Sequence, residues 1–129
     1  MGKTIAEKVF TRTSGGKDVK AGDFVTAKVD LHYNPDDGMA EVHHKVVEAG
    51  LPDGLPRVAN PDILAVILGA HHGCHAKPKE AEAYKLSREL AERYGIKKLY
   101  EMNTGIAHVV VPEEGLARPG LFRMGFLQV

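Results

Sequence analysis

Ile63-Leu64-Ala65-Val66-Ile67-Leu68 is an unbroken apolar run, bounded by Asn60-Pro61 before it and Gly69 after it. A strand with one wet face would alternate polar and apolar residues. A run without polar interruption suits a strand covered on both faces, as in a parallel sheet. Downstream, His71-His72-Gly73-Cys74-His75 reads as a loop at the carboxyl end of this strand. Pro78 then suits a first helical turn, Ala83, Leu86, Leu90 and Tyr94 follow at helical spacing, and Gly95 ends the helix. Upstream, residues 51–61 contain Pro52, Pro56 and Pro61 and form a connection. Before it, Met39, Val42 and Val46 predict a helix that starts after the Asn34–Gly38 loop and stops at Gly50. Before that helix, Val25, Ala27, Val29 and Leu31 alternate with Thr26, Lys28 and Asp30, the pattern of a half-buried strand. Two strands joined through a helix predict parallel pairing by a right-handed crossover.

The flanks extend the pattern. Thr4-Ile5-Ala6-Glu7 is a capping box, with Ile5, Ala6, Val9 and Phe10 on one helical face and Gly15-Gly16 as the stop. Ile96–Met102 predicts a third strand. Ile106–Val111, after the Asn103-Thr104-Gly105 turn, predicts a fourth, and Leu121–Val129 a fifth. The order αβαβαβββ implies one α/β domain over residues 1–129, a three-layer arrangement with a mostly parallel central sheet flanked by helices. The apolar strand at residues 121–129 predicts either pairing within the sheet or association through that strand, as a homo-oligomer or with a second subunit.

Composition narrows the function. Among 129 residues, 17 Lys and Arg balance 17 Asp and Glu, giving a formal net charge of zero. A general nucleic-acid or anionic-membrane binder would carry a basic excess, so neither partner is expected. No apolar run is long enough to span a bilayer, and no secretory signal core follows Met1, so a cytoplasmic location is the default expectation. One cysteine, Cys74, excludes an internal disulfide and a cysteine-ligated iron–sulfur cluster built by one copy of the chain alone.

Three sets of side chains could carry chemistry. His71, His72, Cys74 and His75 offer nitrogen and sulfur ligands of the kind zinc and other transition metals favour, though neighbouring residues rarely converge on one tetrahedral ion. His43-His44 is a second adjacent pair, on a predicted helix. His108 is a candidate proton donor or anion-binding imidazole, set against the plainer reading of a histidine packed within a strand. Beyond carboxyl ends of parallel strands is where open α/β sheets bind ligands, so the 71–75 loop and His108 are expected to share a concavity. Glycine-rich phosphate loops and nucleophile elbows are absent from the sequence.

Several segments, in order, resemble the large subunit of the aconitase superfamily, particularly 3-isopropylmalate dehydratase and homoaconitase. They are Thr4-Ile5-Ala6-Glu7-Lys8-Val9; Val19-Lys20-Ala21-Gly22-Asp23-Phe24-Val25 with Val29-Asp30-Leu31; the Ala81–Tyr94 helix with Gly95-Ile96-Lys97 and Leu99-Tyr100; Gly105-Ile106-Ala107-His108-Val109-Val110; and Pro112-Glu113-Glu114-Gly115-Leu116 with Arg118-Pro119-Gly120. The resemblance implies reversible dehydration of a hydroxy di- or tricarboxylate on a [4Fe–4S] cluster acting as Lewis acid. It carries His108 over as a catalytic and substrate-binding residue, with His71 or His72 as a second. Two family motifs are altered. Where the family has an Asp-His pair after the second strand, this chain reads Leu68-Gly69-Ala70-His71-His72. Where the family has Asp-Ser-His, this chain reads Phe126-Leu127-Gln128 after Gly125.

The expectation is therefore a truncated or split hydro-lyase domain that needs additional chains and is inactive alone. Any [4Fe–4S] cluster would depend on cysteines supplied by a partner. The alternatives are a non-catalytic α/β domain that binds a small carboxylate or a partner protein, and a small metal-binding module using His71, His72, Cys74 and His75.

Overall fold

The computed structural model describes residues 2–70 and 77–125. Its elements are α1 (Ile5–Thr13), β1 (Leu31–Pro35), α2 (Gly38–Glu48), a single 3₁₀ turn (Pro61–Ile63), β2 (Leu64–Ile67), α3 (Pro78–Arg93), β3 (Lys98–Tyr100), α4 (Ala107–Glu113) and β4 (Arg123–Gly125). The strands form a four-stranded sheet in the order β3-β2-β1-β4, and every pairing is parallel.

The apolar run around β2 lies at the centre, as its composition requires. Ala65, Val66, Ile67 and Leu68 are all fully buried. Successive strand residues point to opposite faces, and the two faces have separate cores. Ala65 and Ile67 pack with Leu31, Ala107, Val110, Val111 and Leu116, so α4 covers that face. Val66 and Leu68 pack with Met39, Tyr84, Leu90, Ala91 and Ile96, so α2 and α3 cover the other. The result is the expected three-layer α/β arrangement.

The strand expected at Val25–Leu31 begins where that segment ends. Residues 24–29 form no regular element; Phe24 is fully exposed and Val25 is 38% exposed. The pairing strand is Leu31–Pro35, with His32 opposite Leu64 and Pro35 opposite Ile67. The parallel pairing itself is as expected. Alternation marked a segment able to be a strand, but the segment that follows reaches the core.

The fourth expected strand is instead helix α4. Ala107, Val110 and Val111 are buried, while Ile106 and Val109 are 48% and 42% exposed, a helical rather than alternating pattern. Burial of this stripe overrides the β preference of three consecutive valines. The expected fifth strand shrinks to Arg123–Gly125, and residues 126–129 lie outside the described residues. This strand pairs with β1 inside the chain's own sheet. Gly125 stands opposite Tyr33, and a β-carbon there would collide with the Tyr33 ring, so the close approach of β4 requires glycine.

Helix α1 starts with both capping-box bonds in place. Glu7 N donates to Thr4 Oγ1 at 3.2 Å, and Thr4 N donates to Glu7 Oε2 at 2.8 Å. An ionic clasp fastens the helix to β4. Arg12 Nη2 donates to Asp30 Oδ2 at 2.5 Å and to the Gly120 carbonyl at 2.7 Å. Phe122 N donates to the same Asp30 oxygen at 2.8 Å, Asp30 N donates back to the Phe122 carbonyl at 2.9 Å, and the Phe10 and Phe122 rings meet at 5.1 Å. The Arg12 guanidinium, then the Phe122 N–H, hold the Asp30 carboxyl below the usual carboxylate range. Among the described residues, no helix is long and apolar enough to cross a membrane.

Candidate functional site

All four strands point their carboxyl ends the same way, so the segments that leave them converge on one edge of the sheet. Beyond β1 the chain bends sharply at Asp36, a non-glycine residue with φ of 50°. Asp36 N donates to the Ile67 carbonyl at 2.8 Å, extending the β1–β2 pairing by one bond. Its side chain is buried and accepts from the Tyr84 hydroxyl at 3.2 Å. A left-handed non-glycine residue costs of order 1–3 kcal/mol and persists where its surroundings fix it, often at functional sites. Here the strand bond and the Tyr84 bond do the fixing.

Burial raises the Tyr84 hydroxyl, and the negative charge of Asp36 raises it further, to about 12. Tyr84 therefore remains a donor to Asp36 throughout the neutral range. The sign follows from linkage. A phenol whose folded pKa lies above the ordinary value of 10.0 favours the folded state below pH 10; that contribution is lost as pH rises from there through about 12. In an ultraviolet titration of the four tyrosines, one phenolate is expected to form only near pH 12, and Tyr84→Phe is expected to delete that late step. A late step that survives in Tyr84→Phe would disprove the assignment.

Beyond β3, Arg88 holds Glu101 through paired bonds, Nε to Oε1 and Nη2 to Oε2, each 2.7 Å. Thr104 Oγ1 closes the turn onto the Glu101 carbonyl at 2.7 Å, and Asn103 takes φ of 75°. The chain then enters α4, which carries His108 in its first turn with an exposed side chain. His108 is thus helical and solvent-facing, not a strand residue between apolar neighbours. His71, His72, Cys74 and His75 lie outside the described residues, and so does any meeting between them and His108.

On the α2–α3 side, a concavity near this edge is lined by Asp37, Glu41 and His44 from α2 and its cap, and by Lys77, Lys79 and Glu80 at the start of α3. Asp36 and Tyr84 escaped the sequence reading because the strand was placed too early. With β1 ending at Pro35, Asp36 becomes the first residue past a strand; with β1 ending at Leu31, it looks like a loop residue that caps a helix. Among the described residues, no three His, Cys, Asp or Glu side chains gather as ligands for a metal ion.

A parallel sheet with helices on both faces, and ionisable side chains gathered beyond its strand ends, defines an α/β domain built like a small-molecule site. The sequence comparisons make this specific. The chain is 38% identical over 121 residues to the 3-isopropylmalate dehydratase large subunit of Aquifex aeolicus, covering 93% of this chain and 27% of that subunit. It is 37% identical over 120 residues to large subunit 1 of the same enzyme from Methanopyrus kandleri, with the same coverages. It is 35% identical over 125 residues to large subunit 1 from Pyrococcus furiosus, covering 96% of this chain and 28% of the relative. No family model matches the chain. The chain belongs with the aconitase-type large subunits, and it spans about a quarter of the length of the curated relatives it matches.

Proposed function

We propose that this chain serves as one domain of an aconitase-type hydro-lyase acting on a hydroxy di- or tricarboxylate such as 3-isopropylmalate, and that it is inactive alone. The observation that carries the reading is similarity across 93% of this chain to dehydratase large subunits of which it spans only 27%. His108, on the exposed first turn of α4 at the carboxyl edge of the sheet, is the residue we assign to a substrate carboxylate or its proton. His71 or His72 is assigned the second such role.

The iron–sulfur cluster of this enzyme type supplies a Lewis acid to the substrate hydroxyl. The chain's own donors do not fit that group, because one thiol, Cys74, cannot replace the several thiolates a cluster needs. The cluster cysteines, and the rest of the acid–base set, therefore belong to another polypeptide. The words "large subunit" in the relatives' names also favour a second subunit.

One observation favours a second reading, a carboxylate-binding domain without catalysis. At the place where the family has an aspartate, Ala70 lies 1% exposed in the apolar core under α4. One experiment separates the two. The chain is assayed for 3-isopropylmalate dehydration under anaerobic conditions with iron and sulfide, alone and then with a cysteine-bearing remainder of a relative's large subunit and its small subunit. No turnover alone and turnover in the mixture, abolished by His108→Ala, is the expected result. Turnover by the chain alone would overturn the reading. Binding of the substrate without turnover in the mixture would favour the second.

A further inference from the structure

Away from the carboxyl edge, a separate cavity of about 130 Å³ lies between α2, the 51–60 connection and the sheet. Its walls are largely apolar, with Met39, Val42, Val46, Leu55, Val58 and Leu64 among them. Its polar features are few. His32 and Asn34 line it and bond to each other, with Nε2 and Oδ1 3.2 Å apart. His43 also lines it, and its Nδ1 is buried without a hydrogen-bond partner, one of two such side-chain atoms among the described residues. Buried polar groups are nearly always paired, so an unpaired ring nitrogen in a cavity wall calls for an explanation.

The 51–60 connection closes this cavity as a strap. Arg93 Nη1 donates to the Asp53 carbonyl at 2.7 Å, and the Tyr94 hydroxyl donates to the Leu55 carbonyl at 2.8 Å. Gly54, at φ of 75°, lies so close to His43 that a β-carbon there would stand 2.5 Å from Nδ1. The strap is fixed at both tie points, yet it leaves the space beneath it unfilled. A wholly apolar cavity of about 150 Å³ admits benzene and stays dry. This one is of similar size but adds a single unsatisfied nitrogen.

We propose that this cavity is a binding site for a small amphiphile: one ring or a short branched alkyl group carrying a single hydroxyl. The apolar body fills the space under Val42, Val46, Leu55 and Val58, and the hydroxyl bonds to His43 Nδ1. A hydroxyl both donates and accepts, so it serves either tautomer of the ring. The site is independent of the hydro-lyase reading, because its residues lie on α2, the strap and the opening half of β2, away from His108.

The test is a titration of the isotopically labelled chain with phenol, and separately with benzene, followed by amide NMR. Phenol is expected to give saturable shifts confined to α2 and residues 51–60, with a dissociation constant on the order of 1 mM. Benzene is expected to bind about tenfold more weakly, the loss of one hydrogen bond. In His43→Leu that preference should vanish or reverse, and in Val46→Phe, which fills the space, both ligands should lose saturable binding. Shifts scattered over the surface, absence of saturation in the unsubstituted chain, or an unchanged phenol preference in His43→Leu would each overturn the proposal. The first two outcomes are read on the unsubstituted protein, so they stand even if a variant fails to fold.

Discussion

Ile67→Ala is expected to destabilise the protein by about 3–4 kcal/mol, the range for truncating a fully buried branched side chain whose site cannot collapse. Ile67 is 0% exposed in the central strand and packs in the core beneath α4. Covalently continuous strand on both sides and β1 and β3 on either flank leave little freedom to close the cavity. Since small domains are stable by roughly 5–15 kcal/mol, the variant should lose a large share of its stability. Guanidinium unfolding would show this as a lower midpoint at unchanged slope. The control is Val25→Ala. Val25 belongs to the alternating stretch once expected to be the buried strand, yet it is 38% exposed and outside the sheet. Its truncation should change stability by no more than about 0.5 kcal/mol. Similar losses for both variants would contradict the placement of β1.

Asp30→Ala should have the next largest effect on stability, on the order of 1–3 kcal/mol after allowance for the partial exposure of the ion pair. The Asp30 side chain is 21% exposed and the Arg12 side chain 51%, so the guanidinium contribution is screened, whereas the bond from Phe122 N is better sheltered. Loss should be local. Amide exchange is expected to accelerate in α1 and β4, while β1, β2 and β3 keep their protection. The pH dependence has a definite sign. A carboxyl held below its unfolded value favours the folded state above the ordinary value of 3.8, and that contribution disappears as pH falls through the lowered folded value. Acid should therefore release α1 and β4 early, and Asp30→Ala should remove that acid sensitivity. Uniform loss of protection across the sheet would refute a local clasp.

The sequence carried the centre of the fold well and its edges poorly, for physical reasons. Residues 63–68 could be read because a doubly covered strand has no polar face to confuse the pattern. The capping box at Thr4 and Glu7 could be read because it is local chemistry, complete within one turn. By contrast, Val25–Leu31 and Val109–Val111 were misassigned because both have strand-forming character that tertiary packing overrules. The first is left outside the sheet, and the second is recruited into a helix by the spacing of Ala107, Val110 and Val111. That spacing was visible and was the signal to weigh against the valine run. For the site, the carboxyl edge and His108 were legible from strand order and from resemblance. The Asp36–Tyr84 pair was not, because it joins residues 48 apart and depends on where β1 ends.

The strand order has a consequence for how the molecule comes into being. β1, β2 and β3 are laid down in sequence and can zip together as they appear. The other edge of β1 must wait for β4, whose clasp joins residues 92 apart. The entropic cost of closing such a loop rises only slowly with its length, but the search for it is slow compared with neighbouring pairings. During synthesis, at about 5–20 residues per second, β1 therefore spends seconds with one row of backbone donors and acceptors open. An open row of that kind is a template for pairing with another nascent chain. The short reach from Leu31 to Tyr33 over which β4 covers β1 is thus the last stretch of sheet to be sealed, and the interval before sealing is when the chain is most exposed to misassembly.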